Sequence, residues 1–395
     1  MFSFGLLAVI LVLHLAAAGL TEARIGLLLT LALLGDAAIS LWMATRADRV
    51  GRRKMLLVGA VLMCAAGMLF AATRDFWLLL LAATIGVISP SGNEVGPFLP
   101  IEQAALAQIV PAARRTQLFA WYQLAGSLST AAGSLAGGTL TAALQTAGFA
   151  ELDSYRLVLV GYAAMAAGIA GVIRFLSSAV EVQATDARLG PRNLIGLGDS
   201  SRTVLRLAGL FSLDAFAGGF VVQSIVAYWF HVRFDVGAAT LGAIFFGANL
   251  LAAISALSAA WIARRIGLLK TMVFTHMPSN ILLMLVPLMP NVELAVAVLL
   301  LRFSISQMDV PTRQAYTLAV VTPGERSAAA GATGFARTLG AALSPMISAP
   351  LVGIPALAAA PFLISGALKL IYDATLYVSF RHHRPAGERG LRESN

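Results

Sequence analysis

Apolar runs bounded by charge clusters or Pro/Gly turns recur from one end of the 395-residue chain to the other. A hydrocarbon core roughly 30 Å thick takes about 20 helical residues to cross, and a closed barrel carries only a weak alternating signal. The runs predict helical spans near residues 1–20, 25–44, 55–72, 76–109, 117–145 and 155–178. A second set follows near 204–231, 237–262, 271–290, 292–320, 328–351 and 356–379. Composition agrees: 58% of residues are apolar and 12% charged, against roughly 45–50% and about 25% in soluble domains. That balance excludes disorder, and a single cysteine, Cys64, excludes a disulfide scaffold.

The net charge of +9 would suggest nucleic acid in a soluble protein, but its distribution says otherwise. Even-numbered turns and the C-terminal tail carry eighteen basic residues, and the odd-numbered turns carry Arg24, Arg74, Arg156 and Arg233. By the positive-inside rule both termini and the middle loop are expected in the cytoplasm. No nucleic-acid partner is expected; the lipid bilayer is, around a monomer in a plasma membrane of bacterial inner-membrane type. The expected organisation is a six-helix half over residues 1–178, a cytoplasmic linker over 179–203 containing Pro191, a second six-helix half over 204–379, and a cytoplasmic tail over 380–395. The first span lacks a basic n-region and is read as a helix rather than a cleaved signal peptide.

The halves repeat. One constant offset carries Gly26 onto Gly242, Ala47 onto Ala263, Arg49 onto Arg265, Gly51 onto Gly267 and Lys54 onto Lys270. A slightly shorter offset carries Pro100, Gln103, Ala104 and Arg115 onto Pro311, Gln314, Ala315 and Arg326, making the fourth and tenth spans counterparts. Duplicated six-helix halves are a transporter architecture, with the substrate site near the midplane. Aligning Gly5 with Gly219 leaves residues 204–215 without partners before Met1. The first span is accordingly expected either to be short or to continue upstream.

Between the second and third spans stands Asp48-Arg49-Val50-Gly51-Arg52-Arg53-Lys54. With the twelve spans and the repeat, it resembles the signature loop of the major facilitator superfamily, Gly-x-x-x-Asp-Arg-x-Gly-Arg-Arg/Lys. The likeness covers essentially the whole chain; Ala44 stands at the first glycine, and Arg264 replaces the acid in the second copy. The resemblance implies an all-α membrane protein, twelve transmembrane helices in two six-helix repeats. It also implies a gating motif at Asp48, Arg49, Gly51, Arg52 and Arg53, tying the second helix to the eleventh near Ser327 when the cytoplasmic side closes. The family's antiporter motif is matched by Gly126, Gly133 and Gly137, whereas Gly138 and Thr141-Ala142 depart from it. The same spacing also serves ordinary close packing of helices.

Charges at bilayer depth cost about 2.5–3.5 kcal/mol on the insertion scale, so those present face a cavity or a partner. Glu94 is the first candidate for proton coupling, followed by Asp36 and Asp214. Glu94 sits in a run containing Pro90, Gly92, Asn93, Gly96, Pro97 and Pro100, expected to unwind the fourth span and free backbone carbonyls. Asn93, Glu102, Arg302, Asp309, Arg313 and Arg337 are the substrate or gate candidates. At about 100° per residue, Arg302, Asp309 and Arg313 share a stripe. Asp309 and Arg313, four apart, are spaced to neutralise each other; alternatively Arg313 meets its repeat counterpart Glu102 as a gate. His14 and His276 have side chains that titrate near neutrality, against the plainer reading of satisfied packing residues. Phe211, Phe216, Phe220, Tyr228 and Trp229, with Trp121 and Tyr122, are suited to line a hydrophobic pocket for organic cargo, against the plainer reading of packing or interface-belt residues.

The chain has no phosphate loop, no His/Cys metal spacing and no nucleophile elbow, so no cofactor, no metal and no enzymatic activity are expected. The leading reading is a secondary transporter that exports a small, partly apolar solute in exchange for protons. Uptake or facilitated diffusion is an alternative. A transport-dead sensor or membrane-embedded enzyme on the same scaffold is another; an enzyme would gather titratable residues at one membrane face, whereas these spread over five spans.

Overall fold

The computed structural model describes residues 1–92, 96–181, 200–322 and 325–381, and among them the chain is helical without a strand. The helices are α1 (Phe2–Ala17), α2 (Glu22–Val50), α3 (Arg52–Ala72), α4 (Phe76–Ile85), α5 (Phe98–Ile109), α6 (Ala112–Thr146) and α7 (Glu151–Arg174). They continue with α8 (Ser201–Gly219), α9 (Gln223–Phe234), α10 (Ala238–Ile266), α11 (Leu268–Leu285) and α12 (Val292–Ser306). The last four are α13 (Asp309–Ala319), α14 (Arg326–Leu343), α15 (Pro345–Gly353) and α16 (Ala360–Phe380). Four spans are broken in two, α4–α5, α8–α9, α12–α13 and α14–α15, so the elements make twelve membrane crossings. Among the described residues, nine helical stretches are long and apolar enough to cross a membrane, and two shorter apolar helices, Phe2–Ala17 and Phe76–Ile85, add to them.

The repeat is written into the helix boundaries. The offset that carries Gly51 onto Gly267 carries the first residues of α2 and α3, Glu22 and Arg52, onto Ala238 and Leu268, the first residues of α10 and α11. Both corners turn on a glycine at positive φ, 110° at Gly51 and 89° at Gly267, a conformation that L side chains adopt at a cost. The second offset carries Phe98 onto Asp309, so α5 and α13 restart at the same step of the repeat. Pro100 and Pro311 then fall in the first turn, where no intrahelical N–H is lost.

The chain forms two compact units. The first comprises Met1–Gly190, Val222–Phe246 and Pro345–Gly353. In it α1 lies along α6, with backbone where a side chain would stand: Gly133 faces Phe2 and Leu6, and Gly137 faces Leu6. Gly138 meets Gly242 at the start of α10 in the same way. Segments from late in the sequence are tied in by hydrogen bonds: the Gln223 amide donates to Ser134 Oγ at 3.2 Å, and the Met346 N–H donates to Thr30 Oγ1 at 3.0 Å.

The second unit comprises Pro191–Val221, Gly247–Ser344 and Ile354–Asn395. Its apolar core gathers Leu207, Phe211, Met272, Tyr316, Tyr372 and Phe380 from α8, α11, α13 and α16. Here α8 lies along α14, the repeat counterpart of α1 along α6. Gly340 faces the Ser212 backbone, and the Ser344 hydroxyl donates to the Phe216 carbonyl.

Candidate functional site

The second unit encloses a charged cluster. Asp214 on α8 is 2% exposed, and each cation that neutralises it comes from a different helix. Lys369 Nζ on α16 donates to Asp214 Oδ1 at 2.6 Å and to its carbonyl at 3.3 Å. Arg337 on α14 and Arg313 on α13 approach Oδ2 at 2.9 and 3.3 Å. Arg313 also bonds Asp309, four residues away on its own helix, at 2.7 Å and lies over the Phe211 ring. Arg313 thus pairs with Asp309 on its own helix and with Asp214 on α8, whereas Glu102, its partner in the gate reading, accepts from Tyr122.

His276 on α11 stands between two carboxylates. Its Nδ1 is 2.9 Å from Asp373 Oδ1 and its Nε2 is 3.8 Å from Asp214 Oδ1. An ionised Asp373 only accepts, so in that contact Nδ1 is the donor and Nε2 is the ring nitrogen turned toward Asp214. The Asn280 amide, one turn on, donates to Asp373 Oδ2 at 3.0 Å. Three carboxylates, Asp214, Asp309 and Asp373, stand among Arg313, Arg337 and Lys369, with the imidazole of His276 between two of them. Arg302 lies over the ring of its neighbour Phe303 and within electrostatic reach of Asp309 and Asp214.

The first unit holds the other candidates. Between α4 and α5 the described residues leave the helix, as the Pro/Gly run predicts, and other chain segments take up the freed carbonyls. The Tyr162 hydroxyl donates to the Val87 carbonyl at 2.8 Å, the Ser224 N–H to Pro90 at 3.3 Å, and the Thr130 hydroxyl to Gly92 at 3.1 Å. Asn93 and Glu94 lie outside the described residues. Asp36 on α2 is half-buried, its carboxylate directly against Gly96 where a Cβ would stand. Glu102 on α5 accepts a hydrogen bond from the Tyr122 hydroxyl of α6.

The family model described as Major Facilitator Superfamily matches residues 1–345. The chain belongs to the major facilitator superfamily. A relative in Saccharomyces cerevisiae, the uncharacterized membrane protein YJR124C, is 30% identical over 96% of this chain and 91% of its own length. The quinolone resistance protein NorA of Staphylococcus aureus is 28% identical over 30% of this chain and 29% of its own. The nucleoside transporter NupG superposes with a TM-score of 0.73 at 13% identity, covering 96% of this chain and 97% of NupG. A D-xylose–proton symporter superposes with a TM-score of 0.71 at 14% identity, covering 95% and 94%. At such identities the structures establish the fold, the twelve-helix superfamily fold in a membrane transporter family.

The superfamily's signature loop is an ordered junction in the first unit. Asp48, 61% exposed at its side chain, bonds Arg52 Nε at 2.9 Å. Arg52, largely buried, also donates to Gln108 at the end of α5 at 2.8 Å and to the Val180 carbonyl at 3.2 Å. The first N–H groups of α3, those of Arg52 and Arg53, donate to the two oxygens of Glu181 at 2.7 and 3.1 Å, so a carboxylate from beyond α7 caps that helix. The Arg53 guanidinium reaches the Arg174 carbonyl at 2.6 Å, whereas Arg49 is exposed.

Sequence reading named Asp214, Arg302, Asp309, Arg313 and Arg337 and missed Lys369, Asp373 and Asn280. It also set His276 beside His14 as packing. His14 does play that part, bonding the Phe70 carbonyl at 3.1 Å, while His276 is at the centre of the charged cluster. The missed signal is a matched spacing: His276 with Asn280, and Lys369 with Asp373, each pair four apart on one helix face.

Proposed function

We propose that the protein is a proton-coupled secondary transporter of a plasma membrane of bacterial inner-membrane type, with both termini cytoplasmic, exporting a small, partly apolar solute by alternating access, and that the Asp214 cluster carries the coupling. The observation that bears the reading is one buried carboxylate held by Lys369, Arg337 and Arg313, with the titratable ring of His276 between it and Asp373. In low dielectric an uncompensated charge costs several kcal/mol. Adding one proton to the His276–Asp214–Asp373 group raises the excess of Arg302, Arg313, Arg337 and Lys369 over the three carboxylates, and that excess is relieved by moving helices or admitting a counter-charge. A site of this kind converts proton occupancy into helix position, as coupled exchange requires. Export is favoured over uptake by the partial likeness to NorA and by the glycine spacing on α6.

The test is transport in proteoliposomes under an imposed pH gradient. Asp214→Asn is expected to abolish gradient-driven accumulation while solute exchange at equal pH continues. Full gradient-driven transport by Asp214→Asn would overturn the assignment. Transport unaffected by a protonophore in the wild type would favour facilitated diffusion.

A further inference from the structure

Arg302 stands apart from the other cations of the second unit. It lies on α12 ten residues past Val292, hence roughly 15 Å along the helix and near the middle of a hydrocarbon core about 30 Å thick. At about 100° per residue it shares a face with Ala295, Leu299 and Ser306, and those three are buried. The guanidinium is therefore turned into the protein, and the residue as a whole is half-buried rather than sealed in. Lys369, Arg337 and Arg313 each pair with Asp214 within 3.3 Å. Among the described residues Arg302 has no such pair, and its Nε is buried without an acceptor. One turn on, the hydroxyl of Ser306, 3% exposed, is likewise buried without a partner. Two hydrogen-bond donors, four residues apart on one helix face, thus lack acceptors in a medium that charges heavily for it.

The charge balance points the same way. Arg302, Arg313, Arg337 and Lys369 stand among Asp214, Asp309 and Asp373, one cation more than there are carboxylates. A single excess positive charge at bilayer depth is stabilised by a single negative charge brought from outside the chain. The receptor narrows the chemistry of that anion. A guanidinium lying over an aromatic ring, as Arg302 lies over Phe303 at 5.0 Å, keeps the N–H groups of its own plane for a second partner. Nε–H with a neighbouring Nη–H forms the fork that takes both oxygens of a carboxylate, and the Ser306 hydroxyl supplies a third donor one turn away. The rest of this helix face, Ala295 and Leu299, is apolar and suits a hydrocarbon body. We infer that the protein binds organic monocarboxylates with an apolar body, the carboxylate held by Arg302 and Ser306 on α12. The inference rests on the transporter reading, not on its direction, and supplies the substrate class.

Naphthalene-2-carboxylate and its uncharged amide, alike in shape, test it by equilibrium binding to the purified full chain. The measurement is made at neutral pH in micelles of an uncharged detergent, against protein-free micelles and without a proton gradient. The wild type is expected to bind the carboxylate more tightly than the amide by roughly tenfold or more. Arg302→Gln is expected to erase that preference and leave amide binding as it was, and Arg302→Lys, which keeps the charge but loses the fork, to retain a weaker preference. Ser306→Ala deletes one hydroxyl and is expected to weaken carboxylate binding severalfold without touching the amide, so the case remains decidable should Arg302→Gln not fold. Equal binding of the two probes, a preference that survives Arg302→Gln, or carboxylate binding unchanged in Ser306→Ala would each overturn the inference. Displacement of the carboxylate by an equal concentration of chloride would mark an inorganic-anion site, and displacement by phosphatidylglycerol but not phosphatidylcholine a lipid head-group site; either result also overturns it. Asp214→Asn removes a carboxylate from among the same cations and is expected to bind naphthalene-2-carboxylate at least as tightly as the wild type. Loss of gradient-driven transport in that variant with binding intact supports both readings. Coupling retained with binding intact ends the coupling assignment alone, whereas coupling lost in Asp214→Asn with no carboxylate preference in the wild type ends this inference alone.

Discussion

Lys369 shows what a single side chain does in the charged cluster. Its ammonium is the nearest cation to Asp214, at 2.6 Å, and both groups are buried. Replacing it by methionine preserves the stem's packing and leaves Asp214 short of one partner. Breaking a buried pair from one side costs on the order of 3–5 kcal/mol, discounted here because Arg337 and Arg313 remain. Lys369→Met is therefore expected to lower the melting temperature of the purified protein clearly, and Lys369→Met with Asp214→Asn to recover part of that loss. Additive losses in the double variant would show that the two residues act independently. Lys369 was hard to see in the sequence because a lysine in a terminal span ordinarily reads as an edge residue reaching toward the interface. Asp373 was hidden for a related reason: its partner His276 lies on α11, far from α16 in the sequence, and periodicity sees only neighbours on one helix; Asn280, one turn from His276, was within its reach.

Helix pairs carry a different kind of information. The break between α4 and α5 and its echo between α12 and α13 were legible because proline and glycine act locally. The caps on the α4–α5 break were not, since Tyr162, Ser224 and Thr130 come from distant segments. Gly133 is decisive for the α1–α6 contact: a side chain there meets the Phe2 backbone. Gly133→Leu is expected to force the helices apart and destabilise the protein by roughly 1–3 kcal/mol, the range for overpacking, read as a lower melting temperature. At the signature loop, Asp48→Asn is expected to preserve insertion and expression while reducing transport severalfold; wild-type transport would leave the loop as a topology signal alone. Glu181→Gln keeps the shape of the cap on α3 but removes its charge, and is expected to reduce transport in the same direction.

At the scale of the whole chain the positive-inside pattern and the repeat carry most of the architecture, because bilayer thickness and duplication are global constraints that each span obeys separately. With Cys64 replaced, a single cysteine in the Arg74 turn is expected to react with an impermeant reagent from outside intact cells. One in the Arg265 turn is expected to react only after permeabilisation, and the reverse pattern would invert the topology.

Glu102 and Arg313 occupy the same step of the repeat, at the same distance from the restart of α5 and of α13. One duplicated position has come to hold opposite charges, each with its own partners: Tyr122 in one unit, Asp309 and Asp214 in the other. The two copies have thus diverged at this step, and neither charge suits the other's surroundings. Exchanging the charges, Glu102→Arg with Arg313→Glu, is expected to lower the melting temperature of the purified protein, because each charge then stands among the other's partners.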